Sequence, residues 1–176
     1  MIIMAHAGTG KTTLAKMYPD KVLDFMASPY KYHSQPSDKC IDIEKVKAST
    51  MRVRNEKYPA NYIEALKENM NSGKVLLISS CVMIRKLLQN EKIPYILCYP
   101  QRDAKDLYCK RYIDRGNTND FLSLIVGNWD YFIDIHESDN WGKHIVMKPH
   151  EFLSDVLEES KLIDINEAIT ISKIYF

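Results

Sequence analysis

The chain reads as an α/β domain in which a central parallel sheet of about five strands is covered by helices on both faces. Three observations predict this. Apolar runs of strand length recur at Met1–Met4, Val22–Phe25, Val75–Ser79, Tyr95–Tyr99 and His144–Met147. The stretches between them carry helical period, so strand and helix alternate. The runs are apolar on both alternating faces, the pattern of strands buried between two helical layers.

The helical segments follow in order. Lys11–Met17 continues from a glycine-rich turn. Ala60–Met70 places Ile63, Leu66 and Met70 on one stripe and ends near Gly73, a natural C-terminal stop. Met83–Asn90 groups Met83, Ile84, Leu87 and Leu88, after which Pro94 opens the next strand. Ala104–Arg115 stacks Leu107, Tyr108 and Tyr112, with Ile113 beside them, and ends at Gly116. Asp120–Ile135 reads as one long helix with Phe121, Leu124, Ile125, Trp129 and Phe132 on its apolar side. After Pro149 a last helix turns Phe152, Leu153, Val156 and Leu157 inward. Residues 26–59 are the least regular, rich in Tyr, Pro, Ser and Lys, and with the helix behind them form an insertion (26–72) over one end of the sheet. Residues 160–176 fit strand, helix or docking tail equally.

The 176 residues suit a single domain (1–176), and 45% hydrophobic with 27% charged content is ordinary for a globular protein. A net charge of +1 demands neither nucleic acid nor an anionic membrane. The longest apolar runs, roughly five to seven residues, fall far below the ~18–20 a bilayer span needs. Met1–Met4 leads straight into the glycine-rich segment and leaves no room for a cleavable signal, so a cytoplasmic location is expected. Cys40, Cys81, Cys98 and Cys109 form no Cys-x-x-Cys pair, which argues against zinc and disulfides and for reduced thiols, buried at Cys81 and Cys98.

One segment carries specific chemistry: Ala5-His6-Ala7-Gly8-Thr9-Gly10-Lys11-Thr12. Glycines at Gly8 and Gly10 let backbone N–H groups approach phosphate oxygens in conformations other residues resist. Lys11 brings a point charge to β- and γ-phosphates, and the Thr12 hydroxyl suits Mg²⁺. Ala7, Gly8, Thr9, Gly10, Lys11, Thr12 and Thr13 are the expected nucleotide-binding residues, with ATP and Mg²⁺ the expected cofactors. Ala5 stands where the pattern usually begins with glycine. The context fits, because an apolar strand precedes and a helical pattern follows.

What accompanies the loop narrows the class. No Asn-Lys-x-Asp base reader is present, and the strand Val75–Ile78 runs into Ser79-Ser80 rather than Asp-Glu. Small phosphotransferases need little beyond the loop, Mg²⁺ and arginines. There are six arginines, and Arg111 and Arg115 lie four apart, on one helix face. They are candidates to clamp phosphates, a solvated basic face being the competing reading. Arg85 opens the helix after the third strand, where open α/β sheets place ligands. Arg52 and Arg54 lie in the irregular insertion and read first as solvated. Tyr30, Tyr32, Tyr58 and Tyr62 read first as packing and second as base-stacking groups, and Trp129 and Phe132 as core; His6 has no assigned role.

The phosphate loop, the second strand with its insertion, the third strand leading to Arg85 and the arginine-bearing helix together resemble the nucleoside monophosphate kinase group of phosphate-loop proteins, including adenylate, thymidylate and shikimate-type kinases and small kinase-like proteins of phages and Gram-positive bacteria. The resemblance implies that Asp24, at the end of Val22-Leu23-Asp24, lies near Mg²⁺ or the acceptor. Shikimate-type members carry Asp-x-Asp where this chain has Asp24-Phe25-Met26. It further implies that residues 26–72 bind the acceptor and that 102–119 form a short lid, since only Gly116–Asn119 separate the Arg115 helix from the next. The expected activity is transfer of the γ-phosphoryl of ATP to a nucleoside or deoxynucleoside monophosphate, with Lys11, Asp24, Arg111 and Arg115 catalytic, Asp24 and Arg85 at the acceptor, and Thr12 on the metal. Two alternatives stay open. One is a kinase of a hydroxyl on a small metabolite, a nucleic-acid end or a modified base; the other is a regulatory protein that binds ATP without turnover. The expected partner is a small nucleotide acceptor, with no membrane and no indicated nucleic acid.

Overall fold

The computed structural model describes residues 1–33 and 53–159. Five strands, β1 (Ile2–Ala5), β2 (Val22–Asp24), β3 (Val75–Ser79), β4 (Ile96–Pro100) and β5 (Lys143–Met147), form one sheet in the order β2-β3-β1-β4-β5. Every pairing is parallel, with Ile3 of β1 set beside Leu77 of β3 and Ile96 of β4. Between and after the strands run helices α1 (Lys11–Met17), α2 (Ser28–Lys31), α3 (Ala60–Met70), α4 (Val82–Asn90), α5 (Lys105–Asp114), α6 (Asn119–Ile125), α7 (Trp129–Glu137) and α8 (Leu153–Glu159). A 3₁₀ turn, Arg102–Ala104, leads into α5.

Alternation along the strands splits the core in two. Ile2, Met4, Leu76, Ile78, Leu97 and Tyr99 point to one face, where they meet Tyr62 and Leu66 of α3, Ile84 and Leu88 of α4, Tyr108 and Tyr112 of α5, and Trp129 and Ile133 of α7. Ile3, Ala5, Val75, Leu77, Ile96 and Cys98 point to the other, against Leu14 of α1 and Leu153, Val156 and Leu157 of α8. All four residues of β1 are buried, as the central strand of a sheet covered on both sides requires. Edge strand β5 keeps only Met147 fully inside.

This topology positions the site. The helix after β1 packs on one face, while the helices after its neighbours β3 and β4 pack on the other. A crevice therefore opens at the carboxyl end of β1, where such sheets place ligands.

Several expected details change. The long helix over 120–135 is two helices, broken at Gly127, where a Cβ would run into the Ser123 carbonyl oxygen. The Thr118 hydroxyl caps the first by accepting from the Phe121 amide. Leu124, Ile113 and Phe152, expected inward, are exposed. Cys98 is buried and Cys81 half-buried, while Cys40, Arg52 and residues 160–176 lie outside the described residues. Among the described residues no helix is long and apolar enough to cross a membrane.

Candidate functional site

The segment between β1 and α1 turns on two glycines of positive φ, Gly8 at 78° and Gly10 at 95°. The backbone carbonyls around the turn are held by protein donors. Ala5 O accepts from Lys11 Nζ (2.9 Å) and the Ser80 amide (3.2 Å). His6 O accepts from Lys11 Nζ (2.8 Å) and Thr9 Oγ1 (2.8 Å). Ala7 O takes the Tyr112 hydroxyl (2.9 Å), Thr9 O the Leu153 amide (2.9 Å), and Gly10 O the Leu14 amide (2.9 Å). No hydrogen bond among the described residues is donated by the amides of Gly8, Thr9, Gly10, Lys11 or Thr12. Acceptors are drawn back into the fold and a run of donors is left over, an arrangement complementary to an anion.

Aromatic rings fix the turn from one side. A Cβ at Gly8 would stand 2.8 Å from Tyr112 Cε1 and 3.3 Å from Tyr108 Cδ1, so no side chain fits there. At Gly10 it would stand 3.3 Å from Phe152 Cδ1. Tyr108, Tyr112 and Phe152 line the candidate site and were not expected there from the sequence; the first two carry only the signature of a buried helix face.

Lys11 is held close beneath the turn by its two carbonyls. Burial pushes its pKa down to about 8; Asp24 opposes the fall and Arg115 adds to it. At neutral pH the ammonium is thus still charged but weakly solvated. Thr12, exposed, donates from Oγ1 to Asp24 Oδ2 at 2.6 Å. Asp24 ends β2, so the sheet brings these two side chains together at its carboxyl edge. An exposed hydroxyl and a half-buried carboxylate match the demands of Mg²⁺, which keeps several waters and takes its remaining ligands from phosphates.

The arginines divide. Arg115 is exposed at the end of α5, near enough for its charge to bear on Lys11. Arg111 is half-buried, its guanidinium 4.2 Å from the Phe152 ring centroid and 4.6 Å from that of Tyr108. Its Nη2 donates to Pro149 O (3.0 Å), while Nη1 and the hydroxyl of the neighbouring Tyr108 are buried and bond to no other residue. Arg85 departs from expectation. Its Nη1 lies 3.1 Å from Asp139 Oδ2 and donates to Ile135 O at 3.0 Å, with the side chain 8% exposed. Asp139 also accepts from Tyr95 and from the Trp141 and Gly142 amides. Arg85 thereby ties α4 to the end of α7 and is not presented to an acceptor phosphate.

His6, without a role in the sequence reading, is buried at the root of the turn, with Nδ1 3.2 Å from His136 Nε2. Burial, then His136, then Lys11 pushes its pKa down to about 3. Burial, then Arg85, takes His136 down to about 4. His6 Nε2 and His136 Nδ1 have no partner.

The tyrosines of the insertion are mainly packing. Tyr62 is buried and donates to Phe25 O (2.7 Å); Phe25, Tyr30 and Tyr62 contact one another, and Tyr58 packs against Tyr62. Tyr32 pairs with Arg54 in an isolated antiparallel bridge. Among the described residues no three His, Cys, Asp or Glu side chains cluster as they would around a metal held by protein alone. Comparison with protein-family models, curated proteins and solved structures returns no match.

Proposed function

We propose that this chain binds ATP with Mg²⁺ through the turn between β1 and α1, within a phosphate-loop fold, and transfers the γ-phosphoryl group to a nucleoside or deoxynucleoside monophosphate. One observation carries the reading. The carbonyls of residues 5–7, 9 and 10 are engaged by the protein, while the amides of residues 8–12 are left to a ligand. A polyphosphate supplies the acceptors those amides lack.

The roles follow from placement. The Gly8–Thr12 amides cradle the phosphates, with Ala7 and Thr13 at either end. Lys11 exchanges its two carbonyls for phosphate oxygens, gaining a full countercharge. Thr12 Oγ1 and Asp24 hold Mg²⁺, which when bound neutralises charge on the donor phosphates. Arg115, unengaged and exposed, closes over the transferring group; Arg111 supports it from the Tyr108–Phe152 stack. Catalysis of this kind is positioning and charge neutralisation. A monophosphate acceptor is already an anion and needs no strong base. That choice fits Asp24, whose oxygen is engaged by Thr12 rather than aimed at an incoming hydroxyl. The acceptor would lie beyond Asp24, toward residues 26–72.

A coupled ADP-release assay over a panel of nucleoside and deoxynucleoside monophosphates tests the proposal. Acceptor-dependent turnover with at least one member is expected. ATP binding without turnover across the panel removes the monophosphate kinase and leaves a kinase of a hydroxyl acceptor or a nucleotide binder without turnover.

A further inference from the structure

Beside the turn sits a large aromatic ring whose exposure the packing does not explain. Phe152 immediately precedes α8, and 42% of its surface is open to solvent. Its neighbours Leu153, Val156 and Leu157 are buried. The ring is nevertheless held in place. The Leu153 amide donates to Thr9 O (2.9 Å), and the Phe152 amide to Asp155 Oδ2 (2.8 Å). On one side Gly10 approaches so closely that a Cβ there would stand 3.3 Å from Cδ1. On another the Arg111 guanidinium lies 4.2 Å from the centroid.

Arg111 itself is covered by Tyr108 and Phe152. The guanidinium is thus held against both rings, of which Tyr108 is buried and Phe152 is open to solvent. An exposed apolar ring, immobilised against the last glycine of an anion-binding turn, suits a planar apolar group joined to that anion through a short polar spacer. A nucleoside polyphosphate has that construction: phosphates, a sugar, then a base.

We propose that Phe152 is the stacking surface for the nucleobase of the nucleotide held at Gly8–Thr12. This rests on the polyphosphate-binding reading above and adds to it the residue that recognises the base. Stacking on a ring engages a π-face that every base has, so the surface selects for a base over none more strongly than among bases. Purines, with the larger face, bind more tightly than pyrimidines.

The experiment compares Mg²⁺-ATP with Mg²⁺-tripolyphosphate, which has the phosphates and no base, by calorimetric titration. Wild type, Phe152→Ala, Phe152→Leu and Phe152→Tyr are measured, each with a thermal melt. The expected result is that Phe152→Ala and Phe152→Leu weaken ATP about 5- to 150-fold and leave tripolyphosphate within about twofold. Phe152→Tyr, which keeps the ring, restores ATP binding. Phe152→Leu keeps apolar volume, so it serves should the alanine variant not fold. Unchanged ATP affinity in Phe152→Leu overturns the proposal, and so does equal loss of both ligands, which would make Phe152 only a prop for Gly10. If wild type binds tripolyphosphate and ATP equally well, the turn stands and the base site falls. If wild type binds neither, both readings fall together.

Discussion

Acid is a sharp probe of the region beneath the turn. His6 and His136 are buried, share one hydrogen bond, and have pKa values pushed down to about 3 and about 4, chiefly by burial. An unfolded histidine titrates near 6.5. Between pH ~6.5 and ~4 the unfolded chain therefore binds protons that the folded one refuses, and stability falls as pH falls through that window. The contribution is fully present above the unfolded pKa, and loss stops below the folded values. Going from pH 7 to pH 5 costs about 2 kcal/mol for each ring, about 4 kcal/mol together. That is a large part of a typical domain stability of about 5–15 kcal/mol. Urea unfolding at the two pH values measures it, and with slopes of about 1–3 kcal/mol/M the midpoint should fall by more than about 1 M. His136→Gln removes one titrating ring, and should shrink the pH 7-to-5 loss by about 2 kcal/mol. The reasoning fails if wild type is equally stable at both pH values, or if His136→Gln keeps the full dependence. Because His6 O is one of the two carbonyls that hold Lys11, the same acidification should loosen the turn.

Four further outcomes can be measured. Lys11, with a pKa near 8, must be charged to hold phosphate, so ATP binding takes up a proton at higher pH and should weaken toward about tenfold per pH unit above 8; calorimetric titration between pH 7.5 and 9.5 reads this, and a flat profile would detach Lys11 from the phosphates. Asp24→Asn should raise the Mg²⁺ concentration needed for half-maximal turnover and leave residual activity at saturating Mg²⁺, whereas complete loss at every Mg²⁺ concentration would favour a hydroxyl acceptor with Asp24 as base. Gly8→Ala should cost about 1–2 kcal/mol for a positive φ of 78° and about 1–3 kcal/mol more for displacing Tyr112, lowering Tm by several degrees. Arg85→Ala strands the Asp139 carboxylate in the interior and should destabilise by about 3–5 kcal/mol in urea, while KM for any acceptor stays unchanged in the folded fraction; a raised acceptor KM with intact stability would return Arg85 to the site.

What the sequence makes legible is what short-range physics determines. Apolar runs of four to five residues mark all five strands to within a residue or two at each end, and for β1, β3 and β4 the reason is that a strand buried on both faces leaves an unbroken apolar signature. The Gly8–Thr12 turn is legible for the same reason: two glycines, a lysine and a hydroxyl determine its shape within five positions. The break at Gly127 is missed because the apolar period continues across it from Phe121 to Trp129, and only the backbone registers the interruption. Partnerships are another matter. The hydroxyl of Tyr112 meets Ala7 across 105 positions, and His6 meets His136 across 130. No periodicity encodes such a meeting, so His6 reads as a bystander and Tyr108 and Tyr112 as ordinary core.

The arginines show how this limits inference about function. Arg85, Arg111 and Arg115 are the same residue type, each on a helix beside the crevice, and charge alone ranks them together. Their partners separate them. A guanidinium that finds a buried carboxylate, as Arg85 finds Asp139, has its charge neutralised and its donors engaged, and drawing it toward a phosphate would leave that carboxylate uncompensated. One stacked between two rings, as Arg111 is, keeps its charge but loses its reach. Only Arg115, exposed and felt electrostatically at Lys11, keeps both charge and freedom to move. Arg115→Ala should therefore lower kcat far more than it weakens ATP binding, since an arginine that meets the phosphoryl group only as it transfers stabilises the transition state and not the ground state. Equal losses in kcat and affinity would place Arg115 on the bound nucleotide instead. An unchanged kcat would leave the transferring group without an arginine from α5.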